Sequence, residues 1–273
     1  MNKIPFTKMA GAGNDFVVID AKAGLDYKTL TKKVCDRTNG IGADGLLVLD
    51  KSKKADYKMR IINADGSEAE MCGNGARCIA AYIVANKKPR KKLFSIETLA
   101  GNISGEAKGE VAHVHLSDPT NYRSAVTVSL NGRTLHLPYI DTGVPHAIVY
   151  VNGLADIDVN AIGPQIRYHD AFKPRGTNVD FVEEIADNFV ELRTYERGVE
   201  GETRACGTGA VASAIVSYLK THPKVKNIKN AKTKVKTASG EVLEVCFDIV
   251  NTQIKNVWLK GSAKFIAKGE YYV

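Results

Sequence analysis

Two stretches of the 273-residue chain carry the residue types that could do chemistry: EMCGNGARC at 70–78 and RACGTGA at 204–210. Each sets a cysteine before Gly-polar-Gly-Ala and then runs into an apolar segment. A glycine-rich turn that opens a helix leaves backbone N–H groups unpaired and pointing outward. Those donors, with the positive end of the helix dipole, hold anions, carboxylates among them. A cysteine in that position, Cys72 or Cys206, has its thiolate favoured, which predicts a lowered pKa. One such turn would suit a nucleophile or a redox thiol; two suit an acid/base pair. Inverting the α-carbon of an amino acid without a cofactor needs a base on one face and an acid on the other. It also needs donors for the charge that spreads onto the carboxylate. Thiolate and thiol fit both roles, because the reference thiol pKa of about 8.5 lies within tuning range of neutrality.

The elements that must position these turns repeat along the chain. IPFTKMAGAGNDFVVID reads as strand, glycine turn, strand. DYKTLTKKVCDRTNG spaces Leu30, Val34 and Cys35 as a helix, and Asn39-Gly40 predicts its end. DGLLVLD and YKMRIINADG read as strands. After Cys72, ARCIAAYIVAN has the length and apolar density of a buried helix. FSIETLAGNISGEAKGEVAHVHLSD closes the half as short strands with glycine turns. The second half repeats the order more loosely. TLHLPYIDTGVPHAIVYV is strand, turn, strand, and VNAIGPQIRYHDAF is a helix interrupted near Gly163-Pro164. TNVDFVEEI and NFVELRTYERG are strands, followed by the Cys206 turn, the apolar helix AVASAIVSYLK and closing strands. GNDFVVI and TNVDFVEE (177–184) echo one another as well. The inference is an α+β chain of two similar halves. The first is residues 1–116, joined by the C-terminal strand 262–273, and the second is residues 117–261. The expectation is a cleft between them that brings the two thiols face to face.

Composition narrows the class. Apolar content of 44% and charged content of 25% are ordinary for a globular chain. No apolar run is long enough to span a bilayer. The first twenty residues lack a signal peptide's apolar core, which predicts a cytoplasmic protein with reduced thiols. Five cysteines are an odd number, which argues against a disulfide framework, and the spacing of Cys72 and Cys78 fits zinc poorly. No metal is expected. Cys35, Cys78 and Cys246 lie in apolar patterns and read as buried packing residues. The net charge of +8 gathers in NKKPRKK (86–92) and in the segment from Lys220 to Lys236, without interleaved aromatics. Solvated surface loops, not a nucleic-acid face, explain it.

GAGNDFVVID, NADGSEAEMCGNGARC, TGVPHAI and YERGVEGETRACGTGA together resemble the diaminopimelate epimerase family along nearly the whole chain. The resemblance implies two pseudo-symmetric α/β domains, each a twisted mixed or antiparallel sheet around a central helix. It implies interconversion of LL- and meso-diaminopimelate, for lysine and cell-wall synthesis, with no pyridoxal phosphate or other cofactor. By the same resemblance Cys72 and Cys206 are the two bases. Gly73, Asn74, Gly207 and Thr208 offer donors to the reacting carboxylate. Asn14, Asn63, Asn178, Glu196 and Arg197 match polar ligands, and His146 matches a histidine that helps hold the reacting amino acid. Arg197 also makes sense by itself, since a guanidinium grips a carboxylate bidentately. Members often form homodimers. Two positions depart from the family pattern: Val144 stands where many members have Asn, and Gly45 where some have Gln.

Other readings weigh less. Proline racemase-like relatives carry His after the first Cys-Gly, where Asn74 stands. A protein that only binds an amino acid has no need of two thiols. GIGADG (40–45) fits a dinucleotide fingerprint in letters, but it follows a helix and enters a strand, the reverse of what that site needs. His113 and His115 read as ordinary strand histidines. TGVPHAI puts His146 on a loop between two strands. Arg77 and Arg204 beside the thiols either depress their pKa values or are simply solvated.

Overall fold

The computed structural model describes residues 3–130 and 132–273 of the chain. Contacts divide it into two compact units: the chain up to His115 with Lys260–Val273, and Leu116–Leu259.

Unit one begins with β1 (Lys3–Gly11) and β2 (Asn14–Asp20), which pair antiparallel. After α1 (Tyr27–Val34) comes β3 (Gly45–Asp50), parallel to β2. Its run GLLVLD is buried almost throughout, as expected for a parallel strand covered on both faces. β4 (Tyr57–Asn63) and the short β5 (Glu68–Ala69) lead to α2 (Gly73–Lys87). β6 (Phe94–Thr98), β7 (Gly101–Lys108) and β8 (Val111–His115) follow as antiparallel neighbours. The helix α2 packs against β1, β2, β3, β4, β7 and β8. Every residue from Gly73 to Ile83 is buried, so the helix is enclosed on all sides.

Unit two holds β9 (Thr120–Leu130), β10 (Arg133–Asp141) and β11 (Pro145–Tyr150). Next come α3 (Val159–Arg167), β12 (Asn178–Ala186), β13 (Phe189–Glu196) and β14 (Gly201–Thr203). The helix α4 (Gly207–Thr221) precedes β15 (Ile228–Thr237), β16 (Val242–Val250) and β17 (Gln253–Ser262), the last three residues of which belong to unit one. β11 and β12 are parallel, most other pairs antiparallel. α4 packs on β10 to β13 and on β15 and β16. The last strand, β18 (Lys264–Tyr272), pairs with β1 in unit one. The sheet is mixed and each 15-residue helix is wrapped by strands, the α/β class read from the sequence.

Two local readings need correction, and one strand has no counterpart in the sequence reading. α1 stops at Val34, not at Asn39-Gly40, because the Val34 carbonyl accepts from Ile41 and Gly42 while the Asp36 carboxylate caps Thr38 and Asn39 in a turn. α3 runs unbroken through Gly163-Pro164. Gly163 lets the helix lie against β13: a Cβ there would sit 2.4 Å from the Tyr195 ring. Pro164 costs one ladder bond but leaves the helix intact. β9 was not visible in the sequence at all. Its residues Thr120–Ala125 are exposed, while Val126 and Val128 are buried in the core of unit two and Leu130 packs against it.

Candidate active site

Each thiol turn is built the same way within its own unit. Cys72 and Cys206 are N-cap residues with extended backbone, φ −146° and −112°. The Cys72 carbonyl accepts from Ala76 at 2.8 Å and that of Cys206 from Ala210 at 2.9 Å. The Sγ atoms accept from Gly75 N–H at 3.4 Å and Gly209 N–H at 3.3 Å. A sulfur here replaces the Ser, Thr or Asp oxygen that usually caps a helix. It therefore sits against the positive end of the dipole with donors around it. Gly73 and Asn74, and Gly207 and Thr208, are the first two residues of each helix.

Around Cys72 the neighbours are amides and a guanidinium. Arg77 is fully buried, so it is not a solvated residue. It donates to the Gly73 carbonyl at 3.3 Å and to Asn74 Oδ1 at 2.8 Å. Asn74 in turn donates to Asn14 Oδ1 at 2.6 Å, and Asn14 donates to Asp44 at 3.0 Å. Asp44 and Asp15 both bond Arg37. Burial works against the Asp15 charge, but hydrogen bonds and charge from Arg37 and Lys8 outweigh it and hold its pKa at about 2. Asn14 and Asn74 thus have their side-chain amides engaged inside the unit. Asn63, at the end of β4, is exposed and donates to Ser67 Oγ at 3.0 Å. Gly45 opens β3, where a Cβ would lie 2.8 Å from the Ile62 carbonyl oxygen, so this backbone is set for glycine.

Around Cys206 the neighbours are acidic. Its side chain is nearly enclosed, 6% exposed, and Sγ lies 3.3 Å from Thr208 Oγ1. Burial, reinforced by the carboxylates of Glu196 and Asp180, pushes the Cys206 thiol well up. Contacts from Thr208 and Gly209 pull the other way and lose. This corrects the expectation of a lowered pKa at this turn: desolvation exceeds the helix dipole. Burial also raises Glu196, whose Oε2 accepts from Thr203 at 2.9 Å. His146 is not on a loop. It lies in β11, opposite Asn178 of the parallel β12, fully buried, with Nδ1 2.7 Å from Asp180 Oδ2. Asn178 ties three segments together: Nδ2 donates to the Pro145 carbonyl at 2.9 Å, and Oδ1 accepts from Arg197 N–H at 2.7 Å. The Arg197 guanidinium donates to the Arg175 carbonyl at 3.4 Å. Val144 is half-buried, and its carbonyl accepts from Thr142 N–H at 3.0 Å. Thr142 Oγ1 reaches the Thr208 carbonyl at 3.2 Å, steadying the turn.

In unit one, Cys72, Gly73, Asn74 and Asn14 come together, with Asn63 not joined to them by any hydrogen bond described. In unit two, Cys206, Thr208, Glu196, His146, Asn178 and Arg197 form one neighbourhood. Sequence reading missed Asp180 and Thr142, and left Arg77 undecided. A signal for Asp180 was present, since the echo of Asn14-Asp15-Phe16 in TNVDF places an acid before the phenylalanine both times. Of the remaining cysteines, Cys35 is buried and pushed up to about 12 by burial, and Cys78 is buried. Cys246 differs from its expected burial: it is half-buried, with Sγ 3.8 Å from Glu244. His113 faces Glu106 across the β7–β8 pair at 3.4 Å. Arg204 is exposed. Among the described residues no cluster of His, Cys, Asp and Glu could hold a metal, and no helix is long and apolar enough to cross a membrane.

Two wrapped helices, each capped by a cysteine, belong to a chain that sequence comparison places among epimerases, a class of isomerase. Solved structures share the fold. A PhzF-family phenazine biosynthesis protein from Bacillus anthracis superposes with TM-score 0.72 at 17% identity over 100% of both chains. A hydroxyproline epimerase from Agrobacterium vitis gives 0.71 at 14% identity, over 98% of this chain and 92% of that one. The sequence is more specific. The diaminopimelate epimerase profile matches residues 6–120 and 138–266. The diaminopimelate epimerase of Aquifex aeolicus is 40% identical over 283 aligned residues, covering 97% of this chain and 96% of the relative. That of Caldanaerobacter subterraneus is 46% identical over 231, covering 78% and 84%. The chain belongs to the diaminopimelate epimerase family.

Proposed function

We propose that this chain interconverts LL- and meso-diaminopimelate by a two-base mechanism in which Cys72 and Cys206 act on opposite faces of one α-carbon, without pyridoxal phosphate. The observation that carries this reading is the matched pair of helix N-caps, each with its sulfur held by a backbone N–H three residues on. The thiolate takes the α-proton, and the thiol delivers a proton to the other face. One thiol must enter deprotonated. Burial and the carboxylates of Glu196 and Asp180 favour the protonated form of Cys206. Charge developing on the substrate carboxylate is stabilised by N–H groups of Gly73, Asn74, Gly207 and Thr208. Arg197 grips the distal carboxylate and Glu196 an ammonium group. Asn14, Asn63, Asn178 and His146 complete the substrate's polar contacts, with the first three asparagines set by the bonds described above. Cytoplasmic location, a homodimer and a place in lysine and peptidoglycan precursor synthesis belong to the same reading by family resemblance.

The test is chiral chromatography of LL-diaminopimelate incubated with purified, reduced protein and no added cofactor. Appearance of the meso isomer is expected. Folded protein that returns only LL substrate would reject the reading, and inversion of proline instead would move it to another racemase.

A further inference from the structure

Behind the Cys206 turn lies a buried pair of which the substrate contacts above use only one member. Asp180 on β12 and His146 on β11 are both completely shielded from solvent, with Oδ2 and Nδ1 2.7 Å apart. The other carboxylate oxygen accepts from Thr194 Oγ1 at 2.7 Å. A buried carboxylate is costly unless its oxygens are bonded, and here both are. Asp180 also lies against the first turn of α4: a Cβ on Gly209 would come within 2.6 Å of its Oδ1. Gly209 is therefore the residue that lets an acid approach the helix end that Cys206 caps, where the dipole favours negative charge.

The consequence falls on the imidazole. With the carboxylate ionised and the ring neutral, Nδ1 carries the ring proton and Nε2 is left as an acceptor. Nε2 is buried and has no hydrogen-bond partner among the described residues. Leaving a buried ring nitrogen unsatisfied is costly. A pair serving packing alone has no reason to bear that cost. A pair that presents Nε2 to an incoming donor does.

We propose that Asp180 is a positioning residue that acts through His146, fixing the Nδ1–H tautomer so that Nε2 accepts a hydrogen bond from the α-ammonium group of the amino acid bound at the Cys206 turn. The kinetic part rests on the epimerase reading; the tautomer part does not.

The test combines nitrogen-15 NMR of the histidine rings with steady-state kinetics on the full chain. In the wild-type protein His146 is expected as the Nδ1–H form, with Nε2 unprotonated. In D180N the amide NH2 can face Nδ1, reversing the tautomer. The expected result is a kcat lower by about 100-fold or more, as when the acid behind a catalytic histidine is replaced. T194V, which removes only the second bond to the carboxylate, should retain the tautomer and lower kcat less, with KM unchanged. An Nε2–H tautomer in the wild-type protein would overturn the inference. So would D180N turning over like wild type with its tautomer reversed. Should D180N fail to fold, wild-type kcat in T194V would count against it. If the wild-type enzyme leaves diaminopimelate untouched, the epimerase reading fails, while the tautomer measurement still decides what Asp180 does to His146.

Discussion

The Cys72 and Cys206 turns share a sequence frame, a cap geometry and a 15-residue helix, yet the charged groups described beside them differ. Behind Cys72 the helix carries Arg77, fully buried and bonded to the Gly73 carbonyl and to Asn74. At the corresponding place after Cys206 stands Val211, and the carboxylates of Glu196 and Asp180 act on the thiol. A helix N-terminus alone would treat the two thiols alike. The charged neighbours differ between the two, with the protonated form favoured at Cys206. Environments that push like groups apart are a general route to acid/base assignment.

The comparison can be broken most severely by removing either sulfur. C72A and C206A should each abolish epimerisation, a loss of at least about 1,000-fold in kcat, since an alanine can neither take nor deliver the proton. Serine at either position should leave a weak residue of turnover. Wild-type rates in either alanine variant, measured by chiral chromatography, would end the two-base assignment.

Alkylation sharpens the contrast without mutation. Cys206 is enclosed and keeps its proton, whereas Cys72 is only partly covered. Iodoacetamide at pH 7 should modify Cys72 at least about tenfold faster, because the thiolate is the reacting species. Peptide mass mapping over a time course reads the ratio, and equal rates would remove the asymmetry.

Glu196 gives a smaller effect with a definite sign. Its folded pKa is raised above the ordinary 4.5, by burial first. The buried charge therefore costs stability increasingly as pH rises from 4.5 through the folded value. E196Q should melt at a higher temperature than wild type at pH 7, lose that advantage below about pH 4.5, and turn over poorly. An unchanged melting temperature at pH 7 would mean the carboxylate is better compensated than its burial implies.

The smallest effect lies on the Cys72 side. Asp15, lowered from 3.8 to about 2, contributes stability that is complete above pH 3.8 and lost as pH falls towards 2. D15N should flatten acid unfolding in that window, read by circular dichroism, and leave the thermal midpoint at pH 7 modestly lower.

Much of this was legible in the letters. The two Cys-Gly-X-Gly-Ala frames predicted helix caps because a glycine-rich turn before an apolar run has few other uses, and both caps formed. The strand β3 was legible because GLLVLD is continuously apolar. What failed depended on partners distant in sequence. The thiol of Cys206 was expected low from the helix dipole, but Glu196 and Asp180 reach it from β13 and β12. His146 was read as a loop residue from the Gly-Val-Pro before it, whereas parallel pairing with Asn178 draws it into β11. Gly163-Pro164 looked like a helix break, and the glycine instead serves close packing on Tyr195. β9 carries too little buried surface for its pattern to show.

The most direct test of the central claim is early turnover of LL-diaminopimelate in D2O, followed by mass spectrometry of product and recovered substrate. With an acid and a base on separate thiols, the meso product should carry solvent deuterium at the inverted carbon while recovered LL substrate keeps its proton. Deuterium entering the LL substrate as fast as product forms, or a product that retains the original proton, would contradict it.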